Sequence, residues 1–142
     1  MSQVISIETE AQIASCFKVF QVLRPHLKDV ETFVAQVKRQ QAQSYRIAAI
    51  QGADGQVESV AGFRFGEYLA WGKILYVDDL STLPDARGKG HGSALLDWLL
   101  NQAKSEGCAA LHLDSGYTRL DAHRLYLNKG LNLVSHHFSK NI

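Results

Sequence analysis

The chain has 142 residues, of which 46% are hydrophobic and 20% are charged, the size and composition of one soluble globular domain. Its 15 basic and 14 acidic residues leave a formal net charge of +1, so neither a nucleic acid nor a membrane surface is indicated as a partner. No apolar run approaches the roughly 18 residues of a membrane-spanning helix, and the first residues lack the basic and apolar regions of a secretion signal. Cys16 and Cys108 match no metal or redox spacing. We therefore expect a single domain over residues 1–142, located in the cytoplasm with reduced thiols.

The first part of the chain predicts a strand, two helices and then three strands. Alternating apolar residues indicate a short strand over 4–7, and apolar residues at helical spacing indicate a helix that ends at Pro25. Asp29 is a suitable N-cap for a second helix. Three apolar runs, at 45–51, 57–69 and 73–83, are separated by turn residues and should form an antiparallel meander. Gly62 and Gly66 lie inside the middle run and indicate a bulge or a strong twist.

A glycine-rich turn, Arg87-Gly88-Lys89-Gly90-His91-Gly92, follows the third of these strands and leads into a helix. Glycines leave backbone N–H groups free to converge on an anion, and the helix N-terminus adds donors and the positive end of the helix dipole. The pattern therefore predicts a phosphate-binding turn. The alternative is a turn that only connects a strand to a helix.

Two common phosphate ligands fit this turn poorly. A nucleoside triphosphate loop needs Ser or Thr after its Lys, but Gly90 follows Lys89. A dinucleotide fingerprint belongs at the first strand of a βαβ unit, whereas this turn comes after 86 residues and its glycines are spaced G-x-G-x-G. The ligand class that remains is a coenzyme A, held by its pyrophosphate.

The rest of the chain predicts a helix, a strand, a short helix and a last strand. Gly107 is suited to end the helix that begins in the glycine-rich turn, and the short apolar run 108–113 is typical of a parallel strand in a right-handed βαβ unit. A short helix over 120–129 and a strand over 131–138 complete the order βααβββαβαβ. This order indicates an α/β fold with a mixed, mostly antiparallel central sheet and helices on both faces.

The glycine-rich turn also resembles a family motif. R-G-K-G-H-G is similar to motif A of the GNAT superfamily of N-acetyltransferases, written Q/R-x-x-G-x-G/A, with Arg87, Gly90 and Gly92 at the fixed positions. The preceding Y-V-D-D-L and the later L-Y-L-N-K-G-L are similar to that family, as is the order of the elements. The resemblance covers nearly half of the chain, residues 74–138. It implies acetyl-CoA as the acetyl donor and no metal.

The resemblance also implies where the coenzyme lies. In the family the pantetheine arm occupies the gap between two strands that splay apart, and a backbone N–H there polarises the thioester. Motif A binds the pyrophosphate. The coenzyme-binding residues implied for this chain are Leu80, Ser81, Thr82, Arg87, Gly88, Lys89, Gly90, His91, Gly92 and Ser93.

Tyr126 is the first candidate catalytic residue. It lies four positions before Gly130, in the segment that matches the family's L/F-Y-x-x-x-G-F/L, where the family's tyrosine usually protonates the coenzyme thiolate. A phenol with a pKa of about 10 is protonated at neutral pH and suits this role. The alternative is a core tyrosine whose hydroxyl has an ordinary hydrogen-bond partner.

Asp78 is the second candidate, because it could bind the cationic acceptor amine and pass its proton to water. Asp78 and Asp79 are adjacent on a strand and should point to opposite faces of the sheet. Asp78 should point to the same face as Leu80 and Thr82. The segment around them resembles polyamine-acetylating members of the family. The alternative is that both carboxylates satisfy backbone donors at a bulge, so which of the two faces the cleft stays open.

Other polar residues have weaker interpretations. His112 and Asp114 have the H-x-D spacing of an iron site, with His123 or His136 as a third ligand, but we expect no metal there. Arg119 replaces an asparagine that touches the pantetheine arm in the family, and Arg119 or Ser115 is the candidate substitute. Arg24 either lines the acceptor cleft or caps a helix terminus.

The sequence thus indicates an N-acetyltransferase that moves an acetyl group from acetyl-CoA to a primary amine of a small molecule, by direct attack in a ternary complex. The alternatives are a protein or peptide N-acetyltransferase and a non-catalytic module that senses coenzyme A. Tyr126 favours an enzyme over a sensor. An exposed last strand would also allow a homodimer.

Overall fold

The structure is a computed structural model that describes residues 3–142. The helices and strands in chain order are β1 (Val4–Ile7), α1 (Glu10–Ser15), α2 (Phe17–Leu23), α3 (Val30–Gln41), β2 (Tyr45–Gln51), β3 (Val57–Tyr68), β4 (Gly72–Thr82), a 3-10 turn (Pro84–Ala86), α4 (His91–Ser105), β5 (Ala110–Leu113) and α5 (Leu120–Asn128). No helix in this part of the chain has the length and apolarity needed to cross a membrane.

The five strands form one sheet in the order β1-β2-β3-β4-β5. The first four strands pair antiparallel, and β5 lies parallel to β4 after the crossover through α4. This confirms the mixed α/β fold, the antiparallel meander and the parallel strand that the sequence predicts.

Helices cover both faces of the sheet, as two separate apolar clusters show. Alternate residues of β2 belong to one cluster or the other. Ile47 and Ala49 pack with residues of α1, α2 and α3. Ala48 and Ile50 pack with the α4 residues Leu95, Leu96 and Leu99. All four β2 residues are buried, so the side chains of a central strand contribute to a core on each face.

The first predicted helix is divided in two at Cys16. The Cys16 backbone has φ −88° and ψ −10°, well away from regular helix values, so α1 ends at Ser15 and α2 begins at Phe17. The Cys16 thiol is fully buried, and this burial raises its pKa to about 11. Both cysteines are free thiols, and Cys108 is only half-buried.

The predicted last strand over 131–138 is wrong, since the structure has no strand after α5 in the described residues. Leu131 packs against the apolar cluster that contains Leu95, but the later apolar side chains of this segment face solvent, with Leu133 88% and Phe138 91% exposed. A strand pattern gives a strand only where a neighbouring strand supplies hydrogen bonds and a second layer covers one face. No strand pairs with residues 131–142, and β5 keeps an unpaired outer edge within the described part of the chain.

Candidate active site

The site lies where β4 extends beyond β5. The two strands pair from Ile74 with Ala110 to Val77 with Leu113, and β4 then continues to Thr82 while pairing only with β3. Among residues 3–142, no strand pairs with the other edge of β4 after Val77. The backbone of Leu80, Ser81 and Thr82 therefore borders an open edge that an extended ligand could occupy as an added strand.

A small cleft opens at this edge and brings together several residues that the sequence singled out. It is lined by the end of α2, by β4, by the chain after β5 and by α5. Both candidate catalytic residues line it, as do both candidate substitutes for the family's asparagine; the polar lining residues are Arg24, Asp78, Asp114, Ser115, Arg119 and Tyr126.

Tyr126 enters the cleft from α5 and is only 8% exposed. Burial raises the pKa of its phenol, and the nearby Arg119 guanidinium offsets part of this shift. Arg119 is the N-cap of α5, seven positions before Tyr126, so the two side chains leave the helix on nearly the same face. Tyr126 is therefore a protonated hydroxyl in a cleft, as a general acid requires.

Asp78 is held by an arginine of the neighbouring strand. The Arg64 guanidinium donates from Nε to both carboxylate oxygens, at 3.0 and 3.2 Å, and from Nη2 to Oδ2 at 2.6 Å. The Asp78 side chain is 20% exposed. Because this bidentate pair already neutralises the carboxylate, Asp78 is less available to a cationic amine than the sequence suggested.

Asp79 has a different set of partners. It accepts hydrogen bonds from the Tyr45 hydroxyl at 2.7 Å and from Arg24 Nε at 3.0 Å. Burial and then the charge of Asp79 raise the pKa of Tyr45 well above its usual value. Arg24 also donates to the Asp78 carbonyl oxygen at 3.0 Å, so these bonds fix the end of α2 to β4.

A bulge explains why simple strand alternation does not describe the two aspartates. Gly62 pairs with Asp79 but Phe63 pairs with Val77, which leaves Asp78 as the extra residue. A Cβ at Gly62 would lie 1.8 Å from the Tyr45 hydroxyl and 2.8 Å from Asp79 Oδ2. The absence of a side chain at Gly62 therefore lets Tyr45 and Asp79 meet. The sequence predicted a bulge or a strong twist in β3 near this glycine, whereas the extra residue lies opposite it in β4.

The glycine-rich turn has the geometry that an anion site needs. Gly88 and Gly90 have φ values of 82° and 83°, which favour glycine strongly. Gly90 is the N-cap of α4, and no side chain caps this 15-residue helix. The first turn of α4 therefore presents backbone donors and the positive end of the helix dipole.

Glu58 belongs to this region, and sequence reasoning missed it. Its Oε1 lies 3.2 Å from Lys89 Nζ and 3.1 Å from His91 Nε2. The bonds from His91 and then Lys89 lower the pKa of Glu58. Glu58 lies on β3, 31 positions before Lys89 and 33 before His91, and no spacing rule connects an isolated glutamate to a distant loop.

The comparisons with known proteins agree with this geometry. The model of the acetyltransferase (GNAT) family matches residues 13–131. The chain belongs to the GNAT family. It is 29% identical over 136 residues to the uncharacterized N-acetyltransferase YhdJ of Bacillus subtilis, which covers 94% of each protein. It is 36% identical over 64 residues to the aminoalkylphosphonate N-acetyltransferase of Salmonella typhimurium, which covers 45% of this chain and 42% of that protein.

The fold of this GNAT protein is similar to solved acetyltransferase structures. One is AAC(6')-Iy in complex with the bisubstrate analogue CoA-S-monomethyl-acetylneamine, with a TM-score of 0.83, 14% identity and coverage of 100% of this chain and 98% of that one. The family resemblance and the fold class that the sequence indicated are therefore both confirmed.

The GNAT family implies acetyl-CoA, and the residues present fit that group. The open edge of β4 offers backbone partners to an extended arm, and the uncapped start of α4 suits phosphates. Ser115 Oγ is buried in the same cleft without a hydrogen-bond partner among the described residues. A buried hydroxyl of this kind is stabilised when a molecule bound in the cleft, the coenzyme or the acceptor, supplies its hydrogen bond.

The histidines that suggested an iron site have other contacts. His112 stacks on Trp71 with 4.3 Å between ring centroids, and Asp114 accepts a hydrogen bond from the Tyr76 hydroxyl. In residues 3–142, no group of three His, Cys, Asp or Glu side chains could hold a metal ion.

Proposed function

We propose that this GNAT protein transfers the acetyl group of acetyl-CoA to a primary amine of a small molecule, by direct attack in a ternary complex. One observation carries the proposal: the protonated Tyr126 hydroxyl lies in the same cleft as the open edge of β4. A proton donor next to an unpaired strand edge suits acetyl transfer from the thioester at the end of the extended pantetheine arm of acetyl-CoA.

Two parts of the chain would hold the coenzyme. The backbone of Leu80, Ser81 and Thr82 would pair with the pantetheine arm, and the turn and first residues of α4, 87–93, would bind the pyrophosphate. Acetyl-CoA supplies the activated acetyl group as a thioester. A backbone N–H of β4 directed at the thioester oxygen would favour the charge that develops there.

The side chains of the cleft account for the protons. A C–N bond forms and a C–S bond breaks. An acceptor that arrives as an ammonium ion loses one proton before it attacks and a second as the amide forms; the sulfur gains one proton, and one is released to solvent. Tyr126 Oη holds the proton for the sulfur. Asp78 remains a candidate to receive the proton of the amine through water, although its pairing with Arg64 reduces its availability. Product release and re-protonation of Tyr126 from solvent complete the cycle.

A small acceptor is favoured by what similar proteins are named for. The Salmonella relative is an aminoalkylphosphonate N-acetyltransferase, and a further relative, 33% identical over 79 residues, is the streptothricin acetyltransferase of Streptomyces lavendulae. The name of the Salmonella relative describes a small amine as its acceptor. We extend this class of acceptor to the present chain as part of the proposal.

The experiment is a screen of acceptor amines that reads the free thiol released from acetyl-CoA. The panel contains ethylamine, putrescine, spermidine, an aminoalkylphosphonate, an aminoglycoside and a lysine-containing peptide. We expect release above the rate without acceptor for at least one small amine. Release with the peptide alone would favour a protein acetyltransferase, and coenzyme A binding without release for any acceptor would favour a sensor.

A further inference from the structure

The cleft contains two carboxylates, and the structure gives them different partners. Asp78 forms three contacts with the Arg64 guanidinium, at 2.6 to 3.2 Å. Asp114 has no arginine or lysine partner among the residues that the structure describes. It accepts a hydrogen bond from the Tyr76 hydroxyl at 2.5 Å, and its Oδ1 lies 3.5 Å from Nδ1 of His137. The Asp114 side chain is 46% exposed, against 20% for Asp78.

We propose that Asp114, rather than Asp78, binds the ammonium group of the acceptor and selects cationic amines. This inference rests on the proposed function and names the acceptor-binding residue of the same cleft. Asp114 directly follows β5 and lines the same cleft as Leu80 of the open β4 edge, so an amine held there would lie close to the proposed path of the coenzyme arm.

The charge balance at each carboxylate supports this assignment. An ammonium ion gains most from a carboxylate that keeps its negative charge. At Asp78 an incoming cation would meet Arg64, which already satisfies both oxygens of the carboxylate. At Asp114 the close partner is the Tyr76 phenol, which donates a hydrogen bond without adding a charge. The imidazole of His137 lies farther away, at 3.5 Å, on a 68% exposed side chain, so it competes with a bound cation much less than the Arg64 guanidinium does at Asp78. Burial and the hydrogen bond to Asp114 raise the pKa of Tyr76, so this phenol stays neutral.

The neighbouring residue provides a second group for the same ligand. Ser115 Oγ lies buried in the cleft and has no hydrogen-bond partner within residues 3–142. A carboxylate accepts several hydrogen bonds, and an ammonium group has three N–H donors to share. An amine bound at Asp114 could donate a second hydrogen bond to Ser115 and relieve the cost of this unpaired hydroxyl.

Calorimetric titration tests the proposal without requiring turnover. The probes are ethylamine, putrescine and spermidine, added to the protein with coenzyme A, and ethanol is the uncharged control. We expect binding of amines but not of ethanol. Asp114→Asn should weaken amine binding by roughly 10-fold or more, the usual scale for losing a charged partner. Asp114→Glu keeps the charge and should retain most of the binding.

A matched control is available on α5. Asp121 is fully exposed and pairs only with Arg124 among the described residues, so Asp121→Asn makes the same chemical change outside the cleft and should not alter amine binding. Circular dichroism checks that each variant is folded. The proposal is overturned if folded Asp114→Asn binds amines as the parent protein does, if Asp78→Asn causes the larger loss, or if the parent protein binds none of the amines.

The two proposals can fail separately. Failure of coenzyme A itself to bind contradicts the proposed function. Amine titration in the absence of coenzyme A then tests Asp114 alone.

Discussion

Tyr126 has two properties that matter for its chemistry at the scale of a single residue. Its ring is 8% exposed, and burial raises the pKa of its phenol, with the Arg119 guanidinium acting in the opposite direction. The hydroxyl therefore keeps its proton at neutral pH, and it can lose that proton only in more alkaline solution than a free tyrosine.

Tyr126→Phe removes this proton and leaves the ring in place. We expect kcat to fall about 100-fold or more, the scale of a positioned general acid, while the Kd for acetyl-CoA changes little. In the parent protein kcat should fall as pH rises through the raised pKa of Tyr126, and this alkaline limb should be absent in the variant. Steady-state kinetics across pH measures both effects; an unchanged kcat would show that another group protonates the sulfur.

At the scale of the element, the turn into α4 is the feature whose disruption should abolish acetyl-CoA binding without unfolding the protein. Gly90 has a φ of 83° and is the N-cap of α4, and a Cβ there would meet no atom within 4 Å. Gly90→Asp should therefore fold, with some backbone strain, and should abolish acetyl-CoA binding because its carboxylate repels the pyrophosphate. Thermal-shift titration with acetyl-CoA measures this.

Gly55 provides the matched control for backbone strain. It has a φ of 82°, its added Cβ also meets nothing within 4 Å, and it lies in the turn between β2 and β3. Gly55→Asp should lower the melting temperature to a similar extent and leave acetyl-CoA binding intact. Retained binding in Gly90→Asp, or an equal loss in both variants, would contradict the assigned phosphate site.

Turns and strands that depend on the residues within them could be predicted from the sequence. Gly88 and Gly90 have the positive φ that a glycine-rich turn implies, and the apolar run before Asp114 forms the parallel strand β5. The side-chain pairings could not be predicted, because they join distant positions. Arg64 and Asp78 meet across two paired strands, 14 positions apart in the chain, and Glu58 meets Lys89 only through the folded sheet.

At the scale of the whole molecule, the segment after α5 is the main departure from expectation. A sequence with strand character remains outside the sheet, because strand formation depends on a partner that the pattern cannot reveal. The same segment places His137 near Asp114, so it borders the cleft. The homodimer was expected from an exposed last strand, and no strand forms there in the described residues, so the homodimer stays an untested prediction without that support.

The exposure of Phe138 gives a stability prediction. Because its side chain is 91% exposed, Phe138→Ser should change the free energy of unfolding by no more than about 0.5 kcal/mol, as measured by urea denaturation. Leu99→Ala, at a fully buried position of α4, should cost roughly 2 to 5 kcal/mol and serves as the comparison. A loss above about 2 kcal/mol for Phe138→Ser would show that the segment packs against the domain or a second copy.

We propose that this GNAT protein acetylates a small primary amine in the cleft that opens where β4 extends beyond β5. The most direct measurement uses acetyl-CoA with an isotope-labelled acetyl group and the amine that releases most thiol in the screen, followed by mass spectrometry of the products. We predict one molecule of labelled N-acetylated amine for each molecule of free coenzyme A, with both falling together in Tyr126→Phe. Thiol release without labelled amine, or no labelled amine from any small acceptor in the panel, would contradict the claim.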